Sequence, residues 1–251
     1  MNRLRCFQRV SVTVALVFGL LAGGLVRAES STPWPEIPLP PRAKVEWIAS
    51  SMKVDGIPMR VMKFESEVSR SEIVAFYTAH WSGAYSTKPS VLATGDATVV
   101  GQAHGPYYMT VKVGDQPHER SSGFIAVSQM IGNRIELSAG ALPIMPGAKV
   151  VSVVESKDPG KLSREVLIAQ DAGVDSAMKF YEAALANAGW QQIQKTVTTP
   201  SGTGPTGPYG SSALFQRDQS QLSITAVQVQ GQRGSSILAN LVTKDTGLSA
   251  Q

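Results

Sequence analysis

Cysteine is all but missing from this chain, with Cys6 the only one among 251 residues. It lies ahead of an apolar stretch that reads as a secretory signal, so an exported form would hold no thiol. That excludes a disulfide, a thiolate nucleophile, a cysteine-bound metal and a lipid-modified first residue. Histidine is nearly as scarce, present only as His80, His104 and His118. Runs of like charge are absent too. Arg3, Arg5, Arg9 and Arg27 account for the whole net charge of +4, because residues 1–28 contain no Asp or Glu. Beyond that segment acidic and basic residues balance, which leaves no electrostatic reason to seek nucleic acid or anionic lipid.

The segment itself has the three parts of a signal peptide. Arg3, Arg5 and Arg9 are the positive start, Val10 to Val26 is an almost unbroken apolar run, and Val26-Arg27-Ala28 places small residues where a signal peptidase looks. A membrane anchor is the competing reading. The run falls short of the ~20 apolar residues a span requires, and Gly23-Gly24 weakens its end. We therefore expect residues 1–28 to be cleaved and a soluble chain, periplasmic or extracellular and without a membrane span, to begin at Glu29.

Residues 29–41 form a proline-rich leader, with five prolines between Pro33 and Pro41. Such a segment cannot be helix or central strand and favours an extended polyproline conformation. It could lie on its own domain through Trp34, Ile37 and Leu39, or present those side chains to a partner.

Two stretches of the remainder echo each other. Pro41-Arg42-Ala43-Lys44-Val45 returns as Pro146-Gly147-Ala148-Lys149-Val150, 105 positions on, and Phe76-Tyr77 returns as Phe180-Tyr181, 104 positions on. One offset held across that distance implies the same order of elements twice. The expected fold is α+β, with two tandem repeats, 42–140 and 146–245, each an antiparallel sheet with one covering helix. Strands are expected at Val45–Ile48, Met59–Glu65, Thr98–Gln102, Tyr107–Val113 and Phe124–Gln129. In the second stretch they are expected at Val150–Val154, Arg164–Gln170, Gln192–Thr198, Ala213–Gln216, Leu222–Val229 and Ile237–Val242. Each helix follows an N-cap, Ser71 or Asp175, and buries Phe76 and Tyr77 or Phe180 and Tyr181. Gly189 ends the second helix and Trp190 seals it. Pro146-Gly147-Ala148, Phe180-Tyr181 and Gly189-Trp190 together resemble small exported bacterial domains of uncharacterised function. The first stretch departs from that pattern at Arg42 and at Ser82-Gly83-Ala84-Tyr85, and the resemblance implies no activity.

Motifs that carry chemistry are few. Gly202-Thr203-Gly204-Pro205-Thr206-Gly207 matches the dinucleotide fingerprint in letters, yet two prolines remove amide donors and a strand rather than a helix comes next. Asp115, His118 and Glu119 share a polar hairpin loop that is too open for a zinc site. His80 falls on a helix face and His104 in a turn. No nucleophile elbow or paired-histidine motif occurs. We therefore expect no catalytic residue, no metal and no cofactor.

Adjacent Tyr107 and Tyr108 in one strand must point to opposite faces, so one of them faces away from the helix. Trp34, Ile37, Leu39, Tyr107 and Tyr108 are thus the candidate contacts with a protein partner. The favoured function is an exported, non-enzymatic binding or assembly module acting through protein contacts. The alternatives are a carrier of a small apolar or amphiphilic ligand between helix and sheet, and an enzyme with its site at the junction of the repeats.

Overall fold

The structure is a computed structural model that describes residues 33–85, 87–130, 132, 135–198, 209–228 and 234–245. The signal-like segment and the glycine-rich 202–207 stretch lie outside the described residues. All regular elements belong to the unit Trp34–Gln251.

The chain opens with β1 (Ala43–Val54), β2 (Ile57–Ser66) and α1 (Arg70–Ala84), followed by β3 (Ser90–Thr94), β4 (Ala97–His104), β5 (Tyr107–Gln116) and β6 (Arg120–Gln129). It continues with β7 (Lys149–Asp158), β8 (Lys161–Gln170) and α2 (Val174–Asn187). Then come β9 (Gln191–Thr198), β10 (Gly210–Arg217), β11 (Ser220–Gln228) and β12 (Ser235–Lys244). Tight turns set the hairpins. In Asp55-Gly56 both φ angles are positive, 51° and 79°, the geometry that matches the twist of paired strands.

Here the expected fold class is corrected. The strands do not form two sheets, each with its own covering helix. They form one 12-stranded antiparallel sheet in the order β3-β4-β5-β6-β2-β1-β7-β8-β12-β11-β10-β9, which dominates over two short helices. The physical reason is edge satisfaction. Strands β1 and β7 would each leave a row of open N–H and C=O groups on a separate sheet, and pairing them closes both rows. Only Met52, Lys53 and Val54 pair there, with Ser156, Glu155 and Val154. The Asp55 turn extends that seam. The Asp55 carboxylate accepts from the Ser152 hydroxyl (2.9 Å) and the Val153 amide (2.8 Å), and the Asp55 amide donates to the Val153 carbonyl (2.8 Å).

Register across the seam also fixes which face is covered. Directly paired residues share a face, and Lys53 pairs with Pro58 and Glu155, while Glu155 pairs with Arg164. By alternation, Phe64 on β2 and Val166 and Ile168 on β8 fall on that same face. All three are buried there, Phe64 in the core cluster under α1 and the other two in the cluster under α2. Both helices therefore lie on one face of the sheet, α1 over β4–β6 and α2 over β9–β11, and among the described residues the opposite face has no helix.

The caps differ from expectation. Ser69, not Ser71, caps α1, because Glu72 three residues on completes a reciprocal capping box. Gly173 stands at the start of α2, while Asp175 lies inside the first turn and accepts from the Tyr209 hydroxyl. The end of α2 is as expected. Gly189 takes φ +80°, and the Trp190 amide reaches back to the Leu185 carbonyl at 2.9 Å. Within each Phe-Tyr pair the tyrosine is the fully buried member. Phe76 and Phe180 are half-buried and meet Tyr77 and Tyr181 edge-on, at 5.0 and 5.2 Å. Strand β3 is absent from the sequence-based expectation, and all five of its residues are exposed.

Replacing Asp55 by Ala removes two charge-assisted bonds from a seam of three residue pairs, at a cost of about 2 kcal/mol. Asp55→Asn keeps an acceptor and tolerates the positive φ, so it should cost less than half as much. Urea unfolding at neutral pH measures both. A wild-type midpoint for Asp55→Ala would show that the carboxylate does not hold the seam.

Candidate functional site

The leader determines the site, because it lies on the helix-covered face rather than in solvent. Four contacts hold it. Trp34 packs on Tyr107 with ring centres 5.0 Å apart, and the Arg60 guanidinium lies over the Trp34 ring at 4.7 Å. Tyr77 donates from its hydroxyl to the Pro38 carbonyl (2.7 Å), and Ser66 donates to the Pro41 carbonyl (2.6 Å). Prolines suit this place because an extended segment with few amides leaves few donors unpaired over an apolar floor. Trp34 and Ile37 join the core cluster beneath α1.

Between the leader and β1 a groove of about 350 Å³ remains. Trp34 and Ile37 form one wall, Trp47 the other, and Arg60, Met62 and Ile125 lie between them. Trp47 is 51% exposed, an unusual position for the largest apolar side chain. It pairs with Met62, and the register of β1 slips just after it, between Trp47 and Ala49. Such a bulge re-aims the side chains beside it.

The five candidate contacts are thus divided. Trp34, Ile37 and Tyr107 come together, with Tyr107 only 4% exposed beneath Trp34. Leu39 faces solvent. Tyr108 lies on the helix-free face across Gly101, where its hydroxyl meets that of Ser90 at 3.2 Å. Trp47, Arg60 and Met62 were not anticipated. The only hint of Trp47 is a tryptophan inside a short strand next to Ile48, an ordinary core pattern.

A second groove, of about 410 Å³, crosses the seam. Three of its four charged residues are in ion pairs, Lys53 being the exception among the described residues. Arg164 meets Glu155, and Lys157 meets Asp245 at 3.0 Å. The Ser156 and Ser163 hydroxyls bond each other at 2.9 Å, and no histidine lines the groove. His80 stacks on Phe76, His104 lies against Tyr85, and His118 occupies a turn with φ 62°. Asp115 pairs with Arg70 at 3.0 Å. Among the described residues no three of His, Cys, Asp and Glu are grouped to hold a metal, and no helix is long and apolar enough to cross a membrane.

No protein-family model and no curated protein matches the chain. Two solved structures show a distant likeness. One is the apo structure of the immunity protein TplEi of T6SS from Pseudomonas aeruginosa, at 10% identity, covering 82% of this chain and 84% of that one, with a TM-score of 0.24. The other is the acyl-CoA thioesterase II TesB2 from Mycobacterium marinum, at 12% identity, covering 75% of this chain and 94% of that one, with a TM-score of 0.16. Neither bears on function at that distance.

The two helix tyrosines differ in one respect that can be measured. Burial pushes both phenols up, Tyr181 to about 12 and Tyr77 further. Tyr77 has the Pro38 carbonyl as acceptor, whereas the buried Tyr181 hydroxyl has no partner. The native state keeps both protons where an unfolded chain, with tyrosine near 10, begins to lose them. Their contribution is therefore whole below pH 10 and declines as pH rises through 10 toward 12. Tyr77→Phe should cost about 1 kcal/mol at pH 7 through loss of the leader contact, and Tyr181→Phe close to nothing. Each should flatten part of the alkaline decline in the urea midpoint. Alkaline profiles identical to wild type in both variants would contradict the assignment.

Proposed function

We propose that this chain is an exported, non-enzymatic binding module that acts through contact with a protein partner. The half-exposed Trp47, facing Trp34 and Arg60 across an open groove, is the observation that carries the reading. Tryptophan and arginine are the side chains most often found at the energetic centre of protein interfaces. Both walls are held by the fold, so little order must be gained on binding. The proline-rich leader changes role in this reading. It does not reach out as a free peptide but builds one wall, and an apolar side chain of the partner enters between it and β1.

Export rests on the signal-like residues 1–28, and the balanced charge of residues 29–251 favours a protein over nucleic acid as partner.

A photo-crosslinking residue in place of Trp47 tests the proposal in cells that make the protein. A single discrete protein adduct is expected, strongly reduced by Arg60→Ala, with none from the same crosslinker at Tyr108. An equally strong adduct from position 108, or none from position 47, would move the partner to another surface or remove it.

A further inference from the structure

A further cavity lies between α2 and the sheet, lined by none of the residues of the leader groove. The 139–143 segment, the end of α2 and strands β8, β10, β11 and β12 line a partly open cavity of about 120 Å³. Leu142, Val166, Leu185, Trp190, Leu222 and Ala239 make it apolar. Its volume approaches that of the ~150 Å³ engineered apolar cavity that stays dry and takes up benzene.

Two arginines break the apolar lining. Arg217 lies over Trp190 at 4.7 Å and donates to the Ala188 carbonyl at 2.9 Å. Arg164 donates to the Ser138 carbonyl at 2.5 Å and to Glu155. Its Nε is fully buried and reaches no acceptor. Gly140 closes over this group with φ +65°, and a side chain there would start 3.4 Å from that Nε. A guanidinium offers five N–H donors in a fork that fits a carboxylate. Here two arginines line one apolar space, and Glu155 offsets only one of the two charges.

We infer that this cavity binds a small apolar carboxylate, with the ring or short chain among Leu142, Leu222 and Ala239 and the carboxylate on Arg164 and Arg217. An apolar pocket with a few polar groups at defined positions is the usual form of a small-ligand site. The arginines disfavour a cation, and a volume of about 120 Å³ is too small to hold a nucleotide or a long lipid chain.

Benzoate is a suitable probe and isothermal titration calorimetry the readout, on the purified protein. Saturable one-to-one binding of benzoate is expected below about 10 mM, with benzamide at least about tenfold weaker because it lacks the charge. Ala239→Ile fills the cavity and should abolish binding. Leu142→Trp fills it from the loop side and serves if the strand variant fails to fold. Arg164→Lys keeps the charge but not the fork and should weaken benzoate without changing benzamide. Absence of saturable benzoate binding, equal affinity for benzamide, or undiminished binding in a folded cavity-filling variant would each overturn the inference.

Discussion

The seam between β1 and β7 is the constraint on which the rest of the structure depends. Three residue pairs and one aspartate turn join twelve strands into a single sheet. Counted outward from the seam, the strands run in the same order on both sides, and the register across it brings both helices to one face. That register decides everything placed on the covered face: the leader over β5, β6 and β2, the groove beside Trp47, and the cavity under α2. A one-residue slip at the seam would turn the alternation over and send one helix to the other side.

The two sides solve the same problem differently. Each has a buried tyrosine at the centre of its helix face, and each leaves helix-side sheet surface that the helix does not reach. On the first side the leader covers that surface and supplies an acceptor to Tyr77. On the second side residues 139–143 cover it, and Tyr181 and the Arg164 Nε keep unmet hydrogen bonds. Buried polar groups without partners are rare enough in native proteins to call for a physical account. For the Arg164 Nε, sealed beneath Gly140, the structure offers none, and it offers none for Tyr181.

What the sequence made legible was local. Gly189-Trp190 marks a helix end and the Phe-Tyr echo two helices about a hundred residues apart, because each depends on backbone preferences within a few positions. The cap at Ser69 is equally legible through Glu72, although Ser71 competes for it two residues later. The joining of β1 to β7 leaves no trace, since strand pairing of this kind is decided by which edges meet and not by composition. The site was legible only in part. A proline-rich segment with one tryptophan pointed to Trp34 and Ile37 and to their packing on the segment's own domain, but not to the groove they border. Trp47 was hidden because α1 covers β4–β6 and leaves β1 exposed, which only the strand order reveals, and β3 because an exposed edge strand has no core face to give it a period.

Hydrogen exchange at single-amide resolution tests the seam most directly, because the Val153 amide has the Asp55 carboxylate as its acceptor across the joint. A continuous sheet predicts that Val153 exchanges as slowly as the ladder amides of β8, such as Val166. Rapid exchange at Val153 beside a protected Val166 would mean that the two sides part in solution, and the single-sheet account would be wrong.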